Sequence, residues 1–330
     1  MSAERLGGAG FKMPSLSPSS RLWLLGGAGL IAIAVFMTLG VGGNWDFVLP
    51  FRARKVIGIL IVAYAVAAST VMFQTITDNR ILTPSIMGFD ALYILIQTVV
   101  VFFLGSQTLI VLDERLRFGL EVLAMVVFSG ALYYWLLIAS SRSLHLLVLV
   151  GIIFGIMFGS VTNLLQRVID PTEFAVLQDA GFASFNALNE SLILITLVFV
   201  TVCGFFIQRL LPTLDALALG RETAICLGVN YRRTVMSILA LVTMLVATST
   251  ALVGPITFFG LLVANLAYIV SGSSKHRILL PTATLLAVIA LLGGQMILES
   301  VFAFDTSLSI IIEFLGGVTF IILLLRGTVR

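Results

Sequence analysis

The chemistry available to this sequence is set by a short roster of side chains. There are two histidines, His145 and His276, and two cysteines, Cys203 and Cys226. Neither pair has the spacing of a metal site, and no Gly-rich loop ends in Gly-Lys-Ser/Thr, so the chain carries no motif for metal or nucleotide chemistry of its own. No catalytic residue and no metal ligand is assigned. The cysteines read as small structural residues of apolar segments. His145 reads as a packing residue near an interface, and His276 as part of the polar turn "SGSSKHR". The remaining polar groups of interest sit where they are expensive to keep. Glu313 lies inside "SIIIEFLGG", and the amides Gln74, Asn163, Gln166, Asn265 and Gln295 fall within or beside apolar runs. Such groups line a hydrated path, meet a neighbouring subunit, or fasten helices to one another.

The elements that must hold these groups are dictated by composition. Of the 330 residues, 59% are apolar and 11% charged, with a net charge of +3, and the mean hydropathy is +1.14. A soluble domain carries roughly 25% charged residues. Uncharged windows long enough to cross about 30 Å of hydrocarbon recur along the chain without period-two alternation, so the fold class is an all-α polytopic membrane protein. Ten spans are predicted, at 22–40, 56–74, 85–104, 118–138, 144–166, 191–210, 231–251, 256–270, 279–298 and 306–325. Residues 1–21, rich in Gly, Pro and Ser, form an N-terminal tail, and 22–330 a single transmembrane domain. Gly151, Gly155 and Gly159 fall four apart and leave one helix face flat enough for another backbone to approach.

Basic residues fix an orientation. With both termini in the cytoplasm, most Lys and Arg residues fall inside, and "FRARK" at 51–55 is the main cluster left outside. That orientation puts 211–233, "LPTLDALALGRETAICLGVNYRR", in the cytoplasm. Pro212 is expected to start one short helix with Asp215 in its first turn. Gly220 turns the chain into a second helix with Glu222 early and Gly228 at its end. Leu214, Leu217 and Ala218 form one apolar seam, and Ala224 with Leu227 another. The pair reads as a docking knob outside the bilayer. The outward stretch 170–190 is expected to be an acidic amphipathic helix resting on the outer rim, or in part a re-entrant helix.

Several stretches resemble the iron-chelate and cobalamin family of permease subunits of bacterial ABC importers, over most of residues 50–325. Arg52 to Lys55 resembles the family's basic pre-helix motif. Gln74, followed by Asn79-Arg80-Ile81-Leu82-Thr83-Pro84 and Gly88, resembles its glutamine and Asn-to-Gly pattern. Leu217-Ala218-Leu219-Gly220-Arg221-Glu222-Thr223-Ala224, continuing through Gly228, is similar to its ATPase-coupling loop. Gly254-Pro255-Ile256-Thr257-Phe258-Phe259-Gly260 matches a later motif, with Pro84, Gly88, Gly254 and Pro255 as structural turns.

The resemblance implies a transport subunit of ten spans in the inner membrane and not an enzyme. It implies no cofactor on this chain, ATP and Mg being used by two cytoplasmic ATPase partners. A second permease subunit and a periplasmic or lipid-anchored substrate-binding protein are implied, with a ferric siderophore as cargo; no nucleic-acid partner is expected. Coupling would run through Leu217, Leu219, Gly220, Arg221, Glu222, Ala224 and Gly228. The binding protein would meet Arg52, Arg54 and Arg115. Departures at Ala264-Asn265, Tyr268, Gln295, Glu299 and Gly316-Gly317-Val318 are similar to those of the more divergent member of a permease pair, which favours a heterodimer. Cobalamin, haem or another metal chelate are alternative cargoes. An ion-coupled secondary transporter, with Glu313 as its buried charge, is the rival class.

Overall fold

The computed structural model describes residues 17–39, 45–139, 144–186, 188–302 and 306–325. Thirteen α-helices lie in these segments. Helix α1 (Pro18–Thr38) starts at a proline with the Ser17 hydroxyl accepting from Ser20 N–H. It thus begins within the expected tail; residues 1–16 lie outside the described residues. Helix α2 (Trp45–Thr77) is the longest, 33 residues or about 50 Å. Its middle, from Ile59 to Ile76, is largely buried, with four of the other long helices packed against it.

Seven helices are long and apolar enough to cross a membrane: α1, α2, α5 (Glu114–Tyr133, prolonged by a π-helical turn Tyr134–Ala139), α6 (Leu144–Gln166), α8 (Glu190–Leu217), α10 (Tyr231–Val253) and α12 (His276–Ser300). Three shorter apolar helices are α3 (Phe89–Leu104), α11 (Phe259–Ser271) and α13 (Leu308–Leu325). Together they occupy the ten predicted windows. The connecting helices are α4 (Ser106–Val111), α7 (Pro171–Ala180) and α9 (Arg221–Cys226).

The short α3 and α11 start inside the bundle. After α2 the chain turns back over 78–83, makes a 3-10 turn at Pro84–Met87, and enters α3 through Gly88 at φ +88°. A Cβ on Gly88 would lie 2.8 Å from the Cα of Gly155, halfway along α6. The glycine strip of α6 therefore serves contact within this chain, at Gly151 and Gly155, whereas Gly159 meets nothing. Gly254, at φ +93°, ends α10 against the Phe182 carbonyl, and Pro255 follows in the irregular segment that leads into α11.

Two expectations are corrected. Helix α8 runs straight through Pro212 to Leu217, so no separate helix starts there. Pro212 is exposed at the end of the bundle, where a carbonyl freed by its missing N–H is not sealed in the core, while buried Leu214 and Leu217 hold the last turns in place. Among the described residues of 170–189, the helix ends at Ala180. Beyond it the chain dips inward, with Ala183 N–H donating to Ser309 Oγ (2.7 Å), Ser184 N–H to the Val253 carbonyl (2.8 Å), and Phe185 buried. Burying Phe185 outweighs continuing an exposed helix.

Candidate functional site

The ends of the bundle differ in chemistry. At one end α8 finishes, Gly220 turns at φ +96°, α9 follows, and Gly228 turns at φ +85° into α10. An added Cβ would meet nothing at either glycine, so the backbone angle and not space demands them. Within the knob Leu217 and Ala224 are buried and anchor it. Leu219 and Leu227 are 62% and 61% exposed, and Arg221 and Glu222 are exposed too. Ala224 and Leu227 therefore do not share a seam, and Ala218 faces outward. The product is one short helix, clamped on one side and presenting aliphatic and charged side chains on the other. Beside it a cavity of about 450 Å³ is lined by Thr75, Asp78, His145, Arg221, Tyr231 and Arg232 among others.

His276 is no loop residue. It opens α12 with 1% of its surface exposed, and Asp215 Oδ1 accepts both its backbone N–H (2.8 Å) and its Nδ1 proton (2.7 Å). Asp215 thus sits in the last turns of α8, not the first turn of a new helix, and supplies the N-terminal cap that Lys275 does not. His276 Nε2 lies 2.8 Å from Thr75 Oγ. Carboxylate, imidazole and hydroxyl in this order are the parts of a nucleophile triad. Here Thr75 is buried in α2 with its hydroxyl 2.8 Å from the Val71 carbonyl, which makes it a fastener.

One residue along α2, Gln74 donates through Nε2 to the Arg80 carbonyl (2.7 Å), and Asn265 Nδ2 donates to the same oxygen (3.1 Å). The Arg80 guanidinium stacks 4.4 Å over the Tyr268 ring. Of the six groups expected to line a path or interface, the structure brings together only these two, each 2% exposed, and it uses them to pin the 78–83 reversal. Gln295, fully buried, donates to Asn186 and Glu299. Gln166 reaches Thr98 at 3.5 Å, and Asn163 is exposed on α6. Glu313 is half-buried and reaches Thr257, whose hydroxyl is 3.4 Å from Asp90 Oδ2. Packed amides of this kind hold backbone where a helix is broken, a need the sequence does not announce.

At the opposite end, Arg52 turns inward. Its guanidinium donates to the carbonyls of Phe36 (2.7 Å) and Leu39 (2.6 Å) and lies 4.0 Å from Glu299. Lys55, 3% exposed, pairs with Glu299 at 2.7 Å. Arg54 stays at the surface beside Glu190 (3.3 Å), and Arg115 donates to Ser191. Sequence reasoning placed Lys55 only in an outward basic cluster, without its pairing to Glu299, and passed over Asp90 and the Asp215–His276 pair. For Asp90 the readable signal was a charge in an apolar run.

A model of the FecCD transport family matches residues 22–326. The chain belongs to the FecCD transport family. A petrobactin import system permease protein of Bacillus subtilis (strain 168) is 44% identical over 93% of this chain and 97% of its own length. A petrobactin import system permease protein of Bacillus anthracis is 36% identical over 84% of this chain and 79% of its own. Among solved structures, an inward-facing metal-chelate type ABC transporter superposes with a TM-score of 0.82 at 22% identity, covering 93% of this chain and 99% of that one. In this chain the fold is thus a bundle built on α2, into which the short helices α3 and α11 begin, with α9 projecting from one end.

Proposed function

We propose that this chain is the permease subunit of an ATP-driven importer that carries a ferric siderophore across the bacterial inner membrane by alternating access. The carrying observation is α9: a helix anchored by Ala224, turned by two positive-φ glycines, and exposing Leu219, Arg221, Glu222 and Leu227. Such a surface suits a soluble partner that must grip without entering the bilayer. In this reading two ATPases hold α9 of this chain and its counterpart on a second, homologous permease subunit, and ATP and Mg stay on the ATPases. The tail ahead of α1 is cytoplasmic, and the chain from α1 onward is one transmembrane domain. A substrate-binding protein docks at the far end, where Arg54 and Arg115 are placed to steer an acidic surface. The petrobactin named for two relatives makes a ferric siderophore the favoured cargo, and the departures at Asn265, Tyr268 and Gln295 favour a heterodimer.

The test is Gly220→Pro in the co-expressed complex. Proline cannot adopt φ +96°, so the permease is expected to reach the membrane while ATPase co-purification and ATP-dependent uptake of radioiron-loaded petrobactin into proteoliposomes are lost. Full association with full uptake would overturn the reading of α9. Wild-type uptake abolished by proton and sodium uncouplers with ATP still present would favour an ion-coupled transporter.

A further inference from the structure

The end of α8 that carries α9 is not joined to the rest of the bundle by apolar packing alone. One carboxylate oxygen, Asp215 Oδ1, takes both the first amide of α12 and the ring of its first residue. The imidazole is 1% exposed and meets Thr75 of α2 on its other nitrogen. Thr75 adjoins Gln74, which holds the Arg80 carbonyl together with Asn265 of α11, while Arg80 stacks on Tyr268 of α11. Short polar contacts therefore run from α8 through the start of α12 to Thr75, and the backbone of α2 joins Thr75 to Gln74 and its hold on the 78–83 reversal.

We propose that Asp215, His276 and Thr75 are positioning residues that carry a displacement of the α8–α9 end into the reversal between α2 and α3. The inference rests on the reading of α9 as the point gripped by an ATPase, and adds how movement there reaches the broken helices. Three features support transmission over simple anchoring. The Asp215 contact is charge-assisted and double, so α12 follows α8 at its first turn. The ring is enclosed, so water does not compete for its bonds. Beyond Thr75, the Arg80 carbonyl takes Gln74 of α2 and Asn265 of α11 together, with Asn79 N–H on the Gln74 carbonyl and the Arg80 stack on Tyr268 as further holds, so moving the end of α2 moves the reversal. Close-packed interiors shift between discrete arrangements instead of yielding gradually.

The experiment uses the full complex in proteoliposomes, with Cys226→Ser removing the exposed thiol and Ile81→Cys placing a reporter on the reversal, where Ile81 is 46% exposed. Maleimide labelling of the reporter is timed without nucleotide and with ATP plus vanadate. The parent is expected to change its labelling rate about fivefold or more between the two states. Thr75→Val keeps the side-chain shape, and is expected to bring that ratio close to one while ATP hydrolysis continues. Thr75→Ser, which keeps the hydroxyl, is expected to restore it, and His276→Leu to abolish it. A Thr75→Val ratio equal to the parent's overturns the relay, as does a parent ratio of one. Neither result touches the α9 reading, because loss of ATPase association in Gly220→Pro is measured separately.

Discussion

Lys55 and Glu299 show what one buried charge does in this fold. The ammonium is 3% exposed and 2.7 Å from the carboxylate, which also receives Gln295 at 2.8 Å and faces Arg52 at 4.0 Å. Together these groups tie α1, α2 and α12 at the end of the bundle opposite α9. Lys55→Met removes a charge-assisted hydrogen bond from a poorly hydrated site, with an expected cost of about 2 kcal/mol. Thermal unfolding of the detergent-solubilised protein should show a lowered midpoint, and Glu299→Gln, which still offers Lys55 an acceptor oxygen, should fall less far. Equal midpoints for parent and Lys55→Met would deny the pair a stabilising role. Arg52 belongs to this internal network, which leaves Arg54 and Arg115 as the better-placed residues for an outer partner.

At the scale of elements, the meeting of α3 with α6 rests on glycine. Alanine at position 88 would carry its Cβ to 2.8 Å from the Gly155 Cα and would also have to hold φ +88°. Strain and overlap together predict a loss of about 2 kcal/mol or more for Gly88→Ala. Gly159→Ala, where an added Cβ meets nothing, is expected to be neutral or to stabilise by about 0.5 kcal/mol through helix propensity. Unfolding midpoints of the two variants side by side check this, and similar midpoints would refute the contact. The contrast also marks what sequence could convey. Ten apolar windows predicted ten apolar helices, since hydrocarbon imposes length and composition on each one independently. Gly88, Gly220 and Gly254 were legible because backbone conformation is a local property. The path of α8 beyond Pro212 was not, because Leu214 and Leu217 are pinned by residues distant in sequence. The Asp215–His276 contact, spanning 61 residues, leaves no local trace, and Gln74 and Asn265 look alike as sequence whether they line a path or clasp a carbonyl.

On the scale of the whole molecule, everything depends on which end faces the cytoplasm, and the two native cysteines report it. Cys226 ends α9 and is exposed, whereas Cys203 is buried within α8. A membrane-impermeant maleimide should therefore read a single site without any engineered residue. With both termini inside, the orientation we propose from the bias of Lys and Arg, Cys226 is expected to label in inverted membrane vesicles and to stay unlabelled in intact spheroplasts. Adding the ATPase to the vesicles should slow labelling, because in the proposed reading the helix that carries Cys226 also presents Arg221 and Glu222 to that partner. Labelling in spheroplasts and not in inverted vesicles would reverse the orientation and move Arg54 and Arg115 to the cytoplasm. Labelling in vesicles at a rate indifferent to the ATPase would keep the orientation and remove α9 from the contact. The labelling rates thus separate two claims that uptake alone would confound: where α9 lies, and what binds it.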